Sequence, residues 1–190
     1  ADANGRTEVG RVGQAINRML EHVAGALTAR HKSEDQVRQF VADAKKEREK
    51  GRLVVMAGDF NEPSHLDWNE ATKSLYDHNG AVVPWASTTL LEQAGFLDAY
   101  RVQYPNPVTH PGFTWPSDNA LVPTSRLTWA PEADERDRID YVFFQPDERL
   151  TLQGATVVGP RKSILRNQRV EESGQDPILE PLGSWPTDHK

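Results

Sequence analysis

The chain has 190 residues, 37% hydrophobic and 26% charged, enough for one domain with a buried core. It has no cysteine, which excludes disulfides and thiolate metal sites, so any metal must be held by oxygen or imidazole. A formal charge of −6 argues against a non-specific nucleic-acid binder, and no stretch approaches the roughly 20 apolar residues of a membrane span.

In chain order, Val9, Val12, Ile16, Leu20, Val23 and Leu27 recur at three- and four-residue steps and predict an amphipathic helix over residues 7–30. Ser33 with Gln36 forms a capping box for a second helix, whose apolar face is Val37, Phe40, Val41 and Ala44. Its charged end, Lys45 to Lys50 closed by Gly51, reads as a solvated terminus whose cations suit the helix dipole. The alternative is an anion patch. Leu53 to Ala57 is a short apolar run broken by Gly58, the pattern of a buried strand that delivers Asp59 and Asn61 at its end. Two positions apart on an extended backbone, these side chains project to one side.

Residues 62–68 read as a loop turning into a short helix, with His65 and Trp68 either substrate contacts or structural anchors. Thr88 to Ala94 predicts a short helix stopped by Gly95. Residues 104–137 predict a long loop around Phe113, Thr114 and Trp115, in which Trp115, Trp129 and His110 line a pocket mouth or anchor the loop. Asp137 to Phe144 reads as a strand with a carboxylate at its start, and Leu150 to Val158 alternates like another. Residues 159–186 predict a second long loop. Its Arg161, Lys162, Arg166 and Arg169 hold an anionic substrate or are ordinary surface charge. The chain closes on Asp188 beside His189.

Three ordered pieces carry the chemistry. A carboxylate such as Asp59 can take a proton or face a metal, and the Asn61 amide can hold an anionic oxygen. Histidine is the usual base near neutral pH and needs a carboxylate to fix its tautomer. Asp140 fits that part for His189, leaving Asp188 to face a metal.

Gly58-Asp59-Phe60-Asn61, then Arg138-Ile139-Asp140-Tyr141-Val142-Phe143, then Thr187-Asp188-His189 resemble the endonuclease/exonuclease/phosphatase superfamily, which hydrolyses phosphate esters with Mg²⁺. Gly112-Phe113-Thr114-Trp115 resembles it less specifically, and Thr187 stands where Ser is usual. The resemblance implies that Asp59 handles the attacking water or leaving oxygen and that Asn61 binds phosphate. It further implies that Asp140 orients His189 and that Asp188, with Asp59, binds Mg²⁺, Mn²⁺ being the alternative ion. It runs from about residue 53 onward. The strands that carry the superfamily's metal-binding Asn and Glu have no counterpart ahead of Leu53. The expectation is therefore an α/β fold: residues 1–190 as a single domain, the C-terminal half of a four-layer α/β sandwich. The substrate expected is a small or lipid-like phosphate ester. A nuclease is the first alternative. The second is a catalytically incomplete fragment that folds or binds only with its missing half, which would be a separate chain. The compartment stays open.

Overall fold

The computed structural model describes residues 33–190, so the helix expected over residues 7–30 lies outside the described residues. Residues 33–49 are helical and form α1. The stripe expected to be apolar faces inward: Val37 and Ala44 are buried, and Phe40 and Val41 pack against the same core. Ser33, expected as a cap, is itself helical, and its hydroxyl lies 3.2 Å from that of Ser87. The charged end is a solvated surface carrying the exposed pairs Lys46–Asp43 and Lys50–Glu47.

β1 (Val55–Asp59) pairs antiparallel with β3 (Asp140–Phe144), and β2 (Leu97–Asp98) pairs with the other edge of β3, giving the order β1-β3-β2. The two strands read from the sequence are therefore neighbours in one sheet, with Met56 opposite Phe143 and Ala57 opposite Val142. Strand alternation splits these residues between two faces. Phe143 and Tyr141, with Met56 beside them, pack against Val37 and Ala44 of α1 and against Leu91 and Phe96. Leu91 belongs to α2 (Ala86–Gln93), which ends at Gly95 with φ +82, a value that favours glycine.

The opposite face is bare. Val55 is 52% exposed and Val142 49%, and Leu97 is also exposed. The expectation of a buried strand over Leu53 to Ala57 is thus not met: Val54 and Met56 are half-buried against the core, and Leu53, Val55 and Ala57 are exposed. Among the described residues no second large sheet covers this face.

The second half departs further from expectation. Residues 62–68 form turns rather than a short helix. After β2 comes α3 (Ala99–Gln103), capped by the Asp98 carboxylate, which accepts from the Tyr100 and Arg101 N–H groups. The alternation at Leu150 to Val158 yields only β4 (Val157–Val158), which pairs in parallel with β7 (Ile178–Leu179). The expected loop at 159–186 contains a hairpin instead, β5 (Lys162–Leu165) with β6 (Gln168–Glu171). Its two-residue turn is Arg166-Asn167, both at positive φ, so the backbone has the hairpin geometry without the Asn-Gly signature. The whole is mixed α/β, and no described helix is long and apolar enough to cross a membrane.

Candidate metal centre

The end of β1 meets the start of β3, and their register sets Asp59 directly opposite Asp140. Like charges so placed repel across an antiparallel pair. By alternation the two carboxylates lie on the bare side of the sheet. Phe60 N–H donates to the Ile139 carbonyl at 2.9 Å, which continues the pairing one step past Asp59.

Asn61 follows in the left-handed region at φ +49. Its N–H donates to Asp59 Oδ1 at 2.7 Å and its side-chain amide donates to Asp59 Oδ2 at 2.9 Å. The two side chains meet, but through an Asx-type turn rather than through strand alternation, which is a correction to the extended-backbone argument.

His189 arrives from far along the chain. Its Nδ1 lies 3.0 Å from Asp140 Oδ2, the pairing expected. Burial works against the charged ring, but the bond to Asp140 and the charges of Asp140, Asp59 and Asp188 outweigh it, so its pKa is raised. Asp59, Asp140 and His189 each present a ligand atom within 4.8 Å of the others, an arrangement able to hold an ion. Asp188 is outside that trio. Its Oδ2 accepts from the Trp115 indole at 3.3 Å, and its carbonyl accepts from the Ser117 N–H at 2.7 Å.

Supports around the site come from residues that the sequence reading did not assign. The Thr114 hydroxyl accepts from the N–H groups of Ile139 at 3.0 Å and Asp140 at 3.2 Å, fixing the start of β3. Trp115 and Asp137 form a backbone bridge alongside. That gives the Phe113-Thr114-Trp115 piece a positioning part. Arg138, fully interior, meets Asp67 at 2.8 Å and Asp98 at 2.7 Å, while Arg101 takes the other Asp67 oxygen at 2.5 Å. No local signal marks Arg138, because its partners are about 40 and 70 residues away.

The other candidates have contacts within the fold. His65 bonds Thr88 and Glu92, Trp68 stacks on His78 at 3.8 Å and donates to Asp137, and His110 stacks on Tyr104. Trp129 is 84% exposed and lies against Trp115 at 5.3 Å. The four basic residues of the second loop all have carboxylate partners: Arg161 with Glu180, Lys162 with Glu171, Arg166 with Asp77 and Arg169 with Asp118.

The family described as Endonuclease/Exonuclease/phosphatase family matches residues 3–189. An uncharacterized protein of Caenorhabditis elegans is 43% identical over 105 residues, which cover 53% of this chain and 32% of that protein. A probable sensor histidine kinase of Mycobacterium tuberculosis is 65% identical over 46 residues, 24% of this chain and 10% of the kinase. The chain thus spans about a third of the worm protein and a tenth of the kinase. No solved structure matches the chain significantly.

Proposed function

The chain belongs to the endonuclease/exonuclease/phosphatase family, and we propose that the intact protein hydrolyses a phosphate ester with a divalent cation, Mg²⁺ or Mn²⁺, held by Asp59, Asp140 and His189. The observation that carries this reading is the Asp59–Asp140 register. Two carboxylates opposed at a strand end, with an imidazole closing the triangle, gain most from a cation between them. The donor set, two carboxylates and an imidazole, suits a hard ion that keeps several waters.

When bound, the ion would supply neutralisation of the charge that develops on the phosphate oxygens. The side chains supply the rest. Asp59 takes the proton of the attacking water. Asn61 has one amide hydrogen on Asp59 and offers the other to a phosphate oxygen. Asp140 holds the His189 ring through Nδ1, which leaves Nε2 for the phosphate or the ion. Asp188 acts through its charge on His189 and, as the family pattern suggests, as a further ligand.

A small or lipid-like ester is favoured over nucleic acid because the charge is −6 and the basic residues of the 159–186 segment are already paired. The bare sheet face at Val55, Leu97 and Val142 supports the reading of this sheet as one half of a sandwich. The test is Mg²⁺-dependent hydrolysis by the intact protein, with a generic phosphodiester, inositol phosphates, sphingomyelin and DNA as substrates. His189→Ala and Asp59→Ala should each lower kcat about 100-fold or more. Unchanged turnover in both variants would refute the assignment, and DNA as the preferred substrate would move the protein to the nuclease reading.

A further inference from the structure

Upstream of His189 the segment is tied down by the β7–β4 pairing at Ile178 and Leu179, beyond which Leu182 is exposed to solvent. From Trp185 onward it is clamped. The Trp185 indole donates to the His189 carbonyl at 2.5 Å, and Lys190 N–H donates to the Thr114 carbonyl at 2.8 Å. The Lys190 side chain then turns inward and is 1% exposed. Its ammonium donates to the Ser163 hydroxyl at 2.7 Å and lies 3.6 Å from Glu172 Oε1. The other Glu172 oxygen accepts from Arg136 at 3.0 Å, and Arg136 is paired with Asp134. Gly159 lies so close that an added Cβ would come within 2.9 Å of Lys190 Cβ.

Lysine is among the residues least often buried, and an apolar side chain of similar volume is commonly at least as stable in such a place. What a buried ammonium provides is one defined position, because its partners are fixed points. Ser163 is on β5 and Glu172 directly follows β6, so the hairpin is the anchor. His189 is the residue immediately before it, so the seat of Lys190 joins the Trp185 and Thr187 bonds to the His189 backbone in placing the ring.

We infer that Lys190 is a positioning residue: its ammonium, seated on Ser163 and Glu172, sets His189 against Asp140 and so shapes the cation site. This rests on the reading of Asp59, Asp140 and His189 as that site. The test uses the full chain with Mn²⁺ as probe, measuring affinity by water-proton relaxation and the His189 ring by NMR at fixed pH. Lys190→Met leaves Glu172 with Arg136, so the fold should survive. Affinity should fall about tenfold, in the range seen when groups supporting a metal ligand are lost, and the His189 resonance should move toward that of a free imidazole. Ser163→Ala, which removes a neutral partner from a buried position, should shift both readouts the same way by less, and it decides the matter if Lys190→Met does not fold. Wild-type affinity and an unmoved His189 resonance in a folded variant would overturn the proposal. If His189→Ala itself leaves Mn²⁺ affinity unchanged, the cation-site reading fails instead, and the His189 resonance alone then decides whether Lys190 positions it.

Discussion

The Asp137 carboxyl accepts from the Trp68 indole at 2.9 Å. Burial pushes its pKa up to about 7; the indole bond works against that, while the charges of Asp67 and Asp134 add to it. In the unfolded chain the group titrates near its ordinary value of 3.8. Between these values the unfolded chain releases a proton that the fold retains. The contribution is therefore fully present below about pH 4 and is lost as pH rises through 7. Asp137→Asn should remove this dependence, so its stability relative to wild type should rise from pH 4 to pH 7. Urea unfolding at several pH values measures it, and a constant difference would place the carboxyl in contact with water. Nothing in the local pattern Asp137-Arg138-Ile139-Asp140 separates this carboxylate from Asp140. The strand register and the Trp68 indole do.

Among the described elements, β3 is the central strand of the three-stranded sheet. Phe143 is 2% exposed against α1 and α2, while Val142, one position earlier, is 49% exposed. Phe143→Ala should cost about 3–5 kcal/mol. Val142→Thr should stay within about 0.5 kcal/mol. Equal losses by thermal or urea unfolding would mean that both faces of the sheet are buried. Just ahead of the strand, Arg138→Met would leave Asp98, 2% exposed at its side chain, without a cation and Asp67 with Arg101 alone. Breaking such a buried pair costs about 3–5 kcal/mol, so this variant should be severely destabilised by the same measurement. The strand itself was legible from its β-branched and aromatic run. Its start at Asp140 rather than Asp137 was not, because the Thr114 hydroxyl and the Trp115 bridge take over the backbone groups there.

Across the whole molecule, the site is assembled from two strand ends and a distant segment, each carrying one ordered motif. The hairpin β5–β6 is the scaffold for the third piece, through Ser163 and Glu172. The loop basic residues that invited an anion-binding reading have partners scattered from Asp77 to Glu180, so their charge is largely neutralised within the fold. Such pairs on the surface are worth about 0–1 kcal/mol each and are screened by salt. Duplex DNA should therefore bind only weakly to this chain at physiological ionic strength. A fluorescence-anisotropy titration with micromolar affinity or better would contradict that.

The sequence by itself determined the motif residues and their order, the α1 stripe of Val37, Phe40, Val41 and Ala44, the stop at Gly95 and the two strands that carry Asp59 and Asp140. These follow from local periodicity and side-chain chemistry, which each short window states on its own. Only the tertiary structure decided that Asp59 faces Asp140 across the ladder, that Asn61 reaches Asp59 through a left-handed turn, and that Arg166-Asn167 closes a hairpin. It also decided that Arg138 and Lys190 are interior cations. Register, buried ion pairs and positive-φ turns depend on partners far along the chain, and no window of residues contains both halves of such a contact.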